Sequence, residues 1–498
     1  MKKLNRAVFG EKIVPYKLSR VHEVGHGFYY KGREFVLHTR LDDRDSAVYR
    51  IINSQKLFIF VFVYLLIFFA IITPAKTLIV VVGSLTLLYF SDLLFNLYLI
   101  FRSLLGENQI NITEKELLKI NNKDLPKYTI YCPLYKEWNV LPQFIKAISE
   151  LDYPSNKLEV MLLLEEDDKQ TIAVARKTKL PKYFKIIVVP HSYPKTKPKA
   201  LNYGLLKTTG EYCVIYDAED IPDKDQLKKA YLAFQKVGKK VKCIQAKLNF
   251  YNPHQNILTR LFTAEYCLWF DLVLTGLQTV GAPIPLGGTS NHFRTKDILL
   301  LDGWDPFNVT EDADLGMRIA KRGFTTAVLN SDTMEEANSS LPNWFKQRSR
   351  WVKGYIQTYL VHMRYPREFL RSKNKTHILT FQLVIGGKVL SMLINPFMWL
   401  ITLLYFIFKP VVGDSIESLF PGPVFYMALA SLIFGNFLYL YYYMIGAARR
   451  EHWGLIVFSF LVPIYWLFMS IATFIAVFEL FAKPHKWNKT KHGLHLAK

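Results

Sequence analysis

Glu211-Tyr-Cys-Val-Ile-Tyr-Asp-Ala-Glu-Asp220 runs from a short apolar segment straight into a group of carboxylates. The apolar part has the length and the β-branched and aromatic content of a buried strand. Three similar runs precede it: Tyr128-Thr-Ile-Tyr-Cys132, Leu158-Glu-Val-Met-Leu-Leu-Leu164 and Phe184-Lys-Ile-Ile-Val-Val189. Helix-like segments Val140–Ser149, Gln170–Thr178 and Lys199–Thr208 lie between them. Strands alternating with helices predict βαβ units and a mostly parallel sheet. Ligands of such sheets bind beyond the carboxyl ends of the strands, where several of these runs end in polar or acidic motifs.

Asp217 and Glu219, one residue apart at a strand end, have the spacing to grip a divalent cation. Hard oxygen donors favour Mg²⁺ or Mn²⁺, with Asp220 able to support or replace Glu219. The plain alternative is an acidic turn ahead of a helix. Glu165-Glu-Asp-Asp168 offers carboxylates to a nucleotide base or ribose, with Glu165 and Asp167 favoured; stabilisation of a helix N-terminus competes as an explanation. In Lys195-Thr-Lys-Pro-Lys-Ala-Leu-Asn202, Lys199 is the candidate phosphate partner, unless the run is merely solvated. Thr310-Glu-Asp-Ala-Asp314 opens a helix; Asp312 is the candidate general base and Glu311 its orienting neighbour. An ordinary N-cap with acidic first-turn residues has the same local pattern. Gly287-Gly-Thr-Ser-Asn-His292 would let backbone approach a sugar closely.

Read as a helix, Asn343-Trp-Phe-Lys-Gln-Arg-Ser-Arg-Trp-Val-Lys-Gly354 sets Gln347, Arg350, Trp351 and Gly354 on one face. A guanidinium fork suits pyrophosphate, and an indole suits the apolar face of a sugar. A basic amphipathic helix lying on a membrane is the alternative.

The chain has 498 residues, 51% hydrophobic and 15% aromatic, with a net charge of +22. Its aromatics sit with Leu, Ile and Val in long runs, which indicates membrane rather than a soluble core. No zinc spacing or nucleic-acid motif accompanies the basic excess, so cytoplasmic loops beside an anionic leaflet explain it better than nucleic acid. Four cysteines without a CxxC pair argue against a disulfide framework or structural zinc. The polar start Met1-Lys-Lys-Leu-Asn-Arg6 argues against a cleavable signal peptide.

The organisation expected is a cytoplasmic extension (1–56), a transmembrane hairpin (57–101), a large α/β domain (102–341), interface helices (342–375), a membrane region (376–482) and a basic cytoplasmic tail (483–498). Later apolar regions are Ile378–Phe408, Val424–Ile445 and Leu455–Phe481. Three single crossings would strand the basic tail outside. The third, with Pro463, is therefore expected to be a broken helix that dips in and returns, or two short spans. Phe381–Gly387 is expected along the interface. No intramembrane charge relay is evident from the sequence.

Taken in order, Pro133-Leu-Tyr-Lys-Glu137, the acidic strand end at Glu165, Lys-Ala-Leu-Asn, Asp-Ala-Glu-Asp, Gly-Gly-Thr-Ser, Thr-Glu-Asp and Gln-Arg-Ser-Arg-Trp resemble the family 2 glycosyltransferases. The likeness is greatest to the membrane-embedded processive β-polysaccharide synthases related to cellulose synthase, and the tail Pro484–Gly493 is similar as well. The resemblance covers about residues 125–365 and implies a GT-A-like domain inserted between transmembrane regions of an inner-membrane protein. It implies inverting transfer from a nucleotide-sugar donor, UDP-glucose foremost, to a growing polysaccharide moved across the bilayer, with export through an outer envelope left open. On this likeness Asp217 and Glu219 would hold Mg²⁺ or Mn²⁺, and Asp312 would be the base with Glu311 beside it. Glu165, Asp167, Lys199, Asp217 and Arg350 would bind donor; Thr310, Gln347 and Trp351 would bind acceptor. Rival readings are a single-sugar transferase to a polyprenyl phosphate, a transporter with a nucleotide-binding domain, and a non-catalytic subunit.

Overall fold

The computed structural model describes residues 27–30, 33–36, 38–106, 109–366 and 375–493. The basic extension before residue 27 lies outside them. A hairpin of β1 (Gly27–Tyr30) and β2 (Arg33–Val36) precedes an eight-stranded sheet. The sheet is built from β3 (Tyr128–Leu134), β4 (Leu158–Glu165), β5 (Phe184–Val189), β6 (Tyr212–Ile215), β7 (Ile221–Pro222), β8 (Val241–Phe250), β9 (Asn291–Arg294) and β10 (Thr325–Glu335).

The strand order is β5-β4-β3-β6-β9-β8-β10-β7. Strands β3 to β6 are mutually parallel, as are β8 and β10. β9 runs antiparallel between β6 and β8, and β7 lies antiparallel along the β10 edge. Every residue of β4 is buried, as expected for a strand covered on both faces. The four apolar runs form strands where the sequence predicts them. β8 escapes that reading because Lys242, Gln245, Lys247 and Asn249 interrupt its apolar residues. Those groups are held inside by partners: Lys247 by Asp271 at 2.9 Å, Lys242 by Asp297 at 2.7 Å. Because β9 is reversed, its leading loop Gly287-Gly-Thr-Ser290 reaches the same edge as the carboxyl ends of β6, β8 and β10.

The helices that position the site or carry the long apolar runs are α1 (Asn53–Ile72), α2 (Pro74–Leu105), α3 (Lys197–Leu205), α4 (Ile257–Leu268), α5 (Glu311–Lys321), α6 (Leu341–His362), α7 (Lys388–Ile407), α8 (Asn436–Arg449) and α9 (Val462–Ala482). Among the described residues, five helices are long and apolar enough to cross a membrane: Asn53–Ile72, Pro74–Leu105, Thr376–Ile407, Gly422–Arg449 and Trp453–Ala482. Only Thr73 separates the first two, with Pro74 at the first helical position where a missing N–H is harmless. Phe381–Gly387 is a π-helical stretch leading directly into α7, with Phe381 stacked on Tyr359 of α6 at 5.4 Å. All four cysteines are buried and free.

The last apolar region is one helix rather than a re-entrant pair. Short 3₁₀ turns lead into α9, and Pro463 sits in its first turn, so nothing kinks. Both ends are fastened to the α/β domain. Before it, Arg450 pairs with Asp271; near its start, Tyr465 donates to Glu265 at 2.7 Å. Near its end Glu479 pairs with Lys353 at 3.0 Å, and beyond it His492 pairs with Glu219 at 2.8 Å. The helix runs alongside α6 and returns the tail to the domain it left, which removes the need for a break.

Candidate active site

The carboxyl ends of β6, β8 and β10, the first turn of α5 and one face of α6 enclose a cavity of about 280 Å³. Asp217, Glu219, Thr310, Glu311, Asp312, Gln347, Arg350 and Trp351 all line it, although 134 positions separate the first from the last. The face of α6 predicted from helical spacing therefore meets both acidic turns. Gly354 is the reason it fits. A Cβ there would lie 2.5 Å from Thr310 Cγ2 and 2.7 Å from Thr310 Cβ, so only glycine lets α6 pack on the residue before Glu311 and Asp312.

The α5–α6 junction is hydrogen-bonded throughout. Asn308 donates to Thr358 Oγ1 at 2.9 Å, and Val309 N–H donates to Gln357 Oε1 at 3.1 Å. Buried Asp314 accepts from Arg318 at 2.8 Å and lies 3.1 Å from His362 of α6. Thr310 makes no side-chain cap; its backbone N–H instead donates to Asn308 Oδ1 at 3.0 Å. Asp312 Oδ1 accepts from Ala313 N–H at 2.7 Å, and a Cβ at Gly288 would stand 3.3 Å from its Oδ2. The glycine loop before β9 thus leaves that oxygen room to meet a ligand. Burial raises the Asp312 carboxyl above its ordinary range, and burial together with Asp312 pushes Glu311 up to about 8. The same burial therefore acts on two neighbouring carboxyls of this turn, and the Asp312 charge adds to the rise at Glu311.

At the β6 end, Lys197 Nζ lies 2.5 Å from Asp217 Oδ1 and donates to Gly288 O at 2.7 Å. The ammonium beside the acidic turns is therefore that of Lys197. Lys199 is fully buried, faces the other way, and pairs with Glu165 at 2.7 Å. Pro198 marks the start of α3 and leaves Lys197 at its leading edge, a signal that sequence reasoning passed over. Asp220 braces the turn instead of facing the cavity: it is completely buried and accepts from Asp217 N–H at 2.7 Å and from Thr289. Glu335, from a strand the sequence does not announce, adds another carboxyl to the cavity.

A smaller adjoining cavity of about 120 Å³ shares Lys197, Asp217, Glu219, Arg350, Trp487 and His492 with the first, and Glu165 lines its far end. One Glu165 oxygen is buried without a partner. Asp167 pairs with Lys195 near the rim, and Asp168 caps the following helix by accepting from Thr171 N–H at 3.2 Å. The tail closes this side: Arg350 lies 4.5 Å over the Trp487 ring, and Lys489 pairs with Glu137 at 3.0 Å. Glu137, Glu219 and His492 each present one ligand atom within 4.8 Å of the others. The two carboxylate oxygens suit Mn²⁺ or Mg²⁺, and the His492 nitrogen, once it gives up the proton that Glu219 helps to hold on it up to about pH 9, suits Mn²⁺ better than Mg²⁺, so Glu219 of the predicted pair has companions from two distant segments.

Arg348, one turn from the cavity-facing Trp351, ties the domain to the long apolar helices. It grips Glu265 of α4 with two N–H groups, one at 2.8 Å, and donates to Tyr465 of α9 at 3.0 Å. It also lies 4.7 Å over the Trp351 ring, holding that indole in place. Beyond Trp351, Trp269, Val384, Lys388, Met392 and Met469 line both the first cavity and a second, of about 230 Å³, among the apolar helices. Tyr89, Asn395, Trp399, Ser431 and Asn436 in turn connect the second to a third of about 360 Å³.

The fold is of the GT-A glycosyltransferase type, with a mostly parallel sheet and ligand-facing acidic turns at its carboxyl edge. Residues 126–354, a little under half of the chain, match the family described as "Glycosyltransferase like family 2". Among curated relatives, a probable glycosyltransferase, YdaM of Bacillus subtilis, is 26% identical over 258 residues, 51% of this chain and 60% of that protein. Beta-monoglucosyldiacylglycerol synthase of Nostoc sp. is 28% identical over 47% of this chain and 50% of its own length. Cellulose synthase 2 of Novacetimonas hansenii is 26% identical over 48% of this chain and 15% of its own. The chain thus spans about half the length of the first two and far less of the third. A mannosyltransferase from Pyrobaculum calidifontis, solved with GDP-Man and Mn²⁺, superposes with a TM-score of 0.50 at 16% identity, covering 82% of this chain and 99% of that one. That likeness is one of fold.

Proposed function

We propose that this protein is an inverting membrane glycosyltransferase that polymerises a nucleotide-activated hexose, UDP-glucose foremost, into a β-linked polysaccharide and passes it through its apolar helices. The observation that carries the reading is the series of three cavities sharing walls, from the acidic turns to the far ends of the apolar helices. Their lining joins indoles to hydroxyl, amide and carboxylate groups, the chemistry that receives sugar rings. Trp351 stands in the first cavity, Trp466 in the second, and Trp399 in both the second and third.

In this reading Asp312 Oδ2 takes the proton from the acceptor hydroxyl as its oxygen bonds to the anomeric carbon. The bond from that carbon to the nucleoside diphosphate breaks on the opposite face, and the electron pair leaves with the phosphate. Lys197 and Arg350 bring positive charge to the side where that negative charge grows. On this reading Asp217, Glu219, Glu137 and His492 would hold Mg²⁺ or Mn²⁺, which when bound neutralises the diphosphate. Glu165 meets the base or ribose, while Gln347 and Trp351 hold the acceptor sugar. With α1, α2 and the two later helices crossing and α9 lying beside α6, the catalytic domain and tail share the cytoplasmic side.

A second reading, transfer of one sugar to a lipid, draws on the similarity to beta-monoglucosyldiacylglycerol synthase. Purified protein in detergent, given labelled UDP-glucose, GDP-mannose or UDP-N-acetylglucosamine, separates them by product length. Polymer formation abolished by Asp312→Asn supports the first reading. A short lipid-linked sugar as sole product refutes it.

A further inference from the structure

One cluster beyond the acidic turns, at the wall between the first and second cavities, carries charge where charge is expensive. Asp92 of α2, Lys388 of α7 and Tyr439 of α8 belong to three of the helices apolar enough to cross a membrane. Tyr439 Oη donates to Asp92 Oδ2 at 2.5 Å, and Lys388 Nζ stands 3.5 Å from that hydroxyl and 5.1 Å from the ring centre. Asn96 donates to Asp92 Oδ1 at 3.0 Å. The sequence showed no charge relay here because the two ionisable groups lie 296 positions apart, and only helix packing brings them together.

Ionisable side chains among membrane helices are kept for binding or transport rather than for stability. Asp92 has its acceptors engaged, whereas the Lys388 ammonium has three protons and, among the described residues, one long hydrogen bond. Lys388 lines the wall between the first and second cavities, and Asp92 and Tyr439 line the second. Trp466 stands edge-on to Tyr439 at 5.8 Å and lines the same space. A sugar ring matches this set: its hydroxyls accept from an ammonium and donate to a carboxylate, and its C–H face lies on an indole. An acyl chain offers none of these partners and would leave the ammonium desolvated.

We propose that Asp92, Lys388 and Tyr439 form a saccharide-binding neck that grips acceptor sugars behind the one being extended, so that long acceptors are better substrates than short ones. This rests on the polymerase reading above. The test uses the full-length protein in detergent and its own polymer, partially hydrolysed in acid and separated by length. In the wild type KM is expected to fall at least about tenfold from disaccharide to long oligosaccharide, a difference of about 1.4 kcal/mol. That preference should collapse towards unity in Lys388→Met and in Tyr439→Phe, the latter keeping the ring and its packing. Polymer formation without length preference in the wild type, or a preference retained in a variant, overturns the neck alone. Absence of any polymer refutes the polymerase reading and the neck with it.

Discussion

Replacing Gly354 by alanine tests whether the α5–α6 contact holds the catalytic turn. In an unconstrained helix interior, Gly→Ala stabilises by roughly 1 kcal/mol. Here the new methyl would meet Thr310 at 2.5–2.7 Å, distances that require the threonine or the helix to move. Overpacking of this kind costs about 1–3 kcal/mol, so the net change is from nothing to a loss of about 2 kcal/mol. The larger effect falls on catalysis, because Thr310 is covalently joined to Glu311. A shift of about 1 Å at a reacting group lowers rate by up to about a hundredfold. Release of nucleoside diphosphate gives kcat, and thermal unfolding in detergent gives Tm. The expected result is a kcat lowered at least tenfold with Tm unchanged or lower. A variant with full kcat and a raised Tm would show that α6 and the acidic turn are not locked together, and would remove the structural basis for treating them as one site.

Asp312→Asn should lower kcat by about 10²–10⁴ while donor binding persists, read by turnover and by titration with the nucleoside diphosphate. Arg348→Met leaves half-buried Glu265 with the Tyr465 hydroxyl but no cation and frees Trp351; a loss of up to about 3 kcal/mol is expected, seen as a lower Tm, and Glu265→Gln in the same protein should restore part of it. Glu311 is raised from 4.5 to about 8, so the folded chain holds its proton longer than the unfolded one and stability falls as pH climbs from about 4.5 through 8. Glu311→Gln should therefore raise Tm relative to wild type more at pH about 9 than at pH about 4.5; an equal shift at both would contradict the burial argument. Glu219→Ala and His492→Ala should each weaken Mn²⁺ binding, measured by the paramagnetic resonance of free Mn²⁺, and a chelator should stop nucleotide release until Mg²⁺ or Mn²⁺ is restored.

The candidate site divides by how its residues are spaced along the chain. Gln347, Arg350 and Trp351 were legible because a helix repeats every 3.6 residues and puts them on one face. Asp217, Glu219 and Asp312 were legible because carboxylates collect where parallel strands and helices turn. Lys197 was confused with Lys199 because a lysine run does not say which side chain leads its helix. Glu137, Glu335 and the tail pair Trp487 and His492 come from three separate segments, and nothing local ties those segments to one another.

What the chain order determined alone was the alternation of buried strands with helices, the acidic turns at strand ends and the long apolar helices, since each depends on neighbours within one or two turns. What only the tertiary structure decided was which groups share a cavity: the tail closing over the donor side, α9 lying beside α6 with both ends on the domain, and Asp92 meeting Tyr439 and Lys388. Hydrogen bonds and ion pairs act over about 3 Å of space whatever the separation in sequence, so such meetings exist only once the helices have packed.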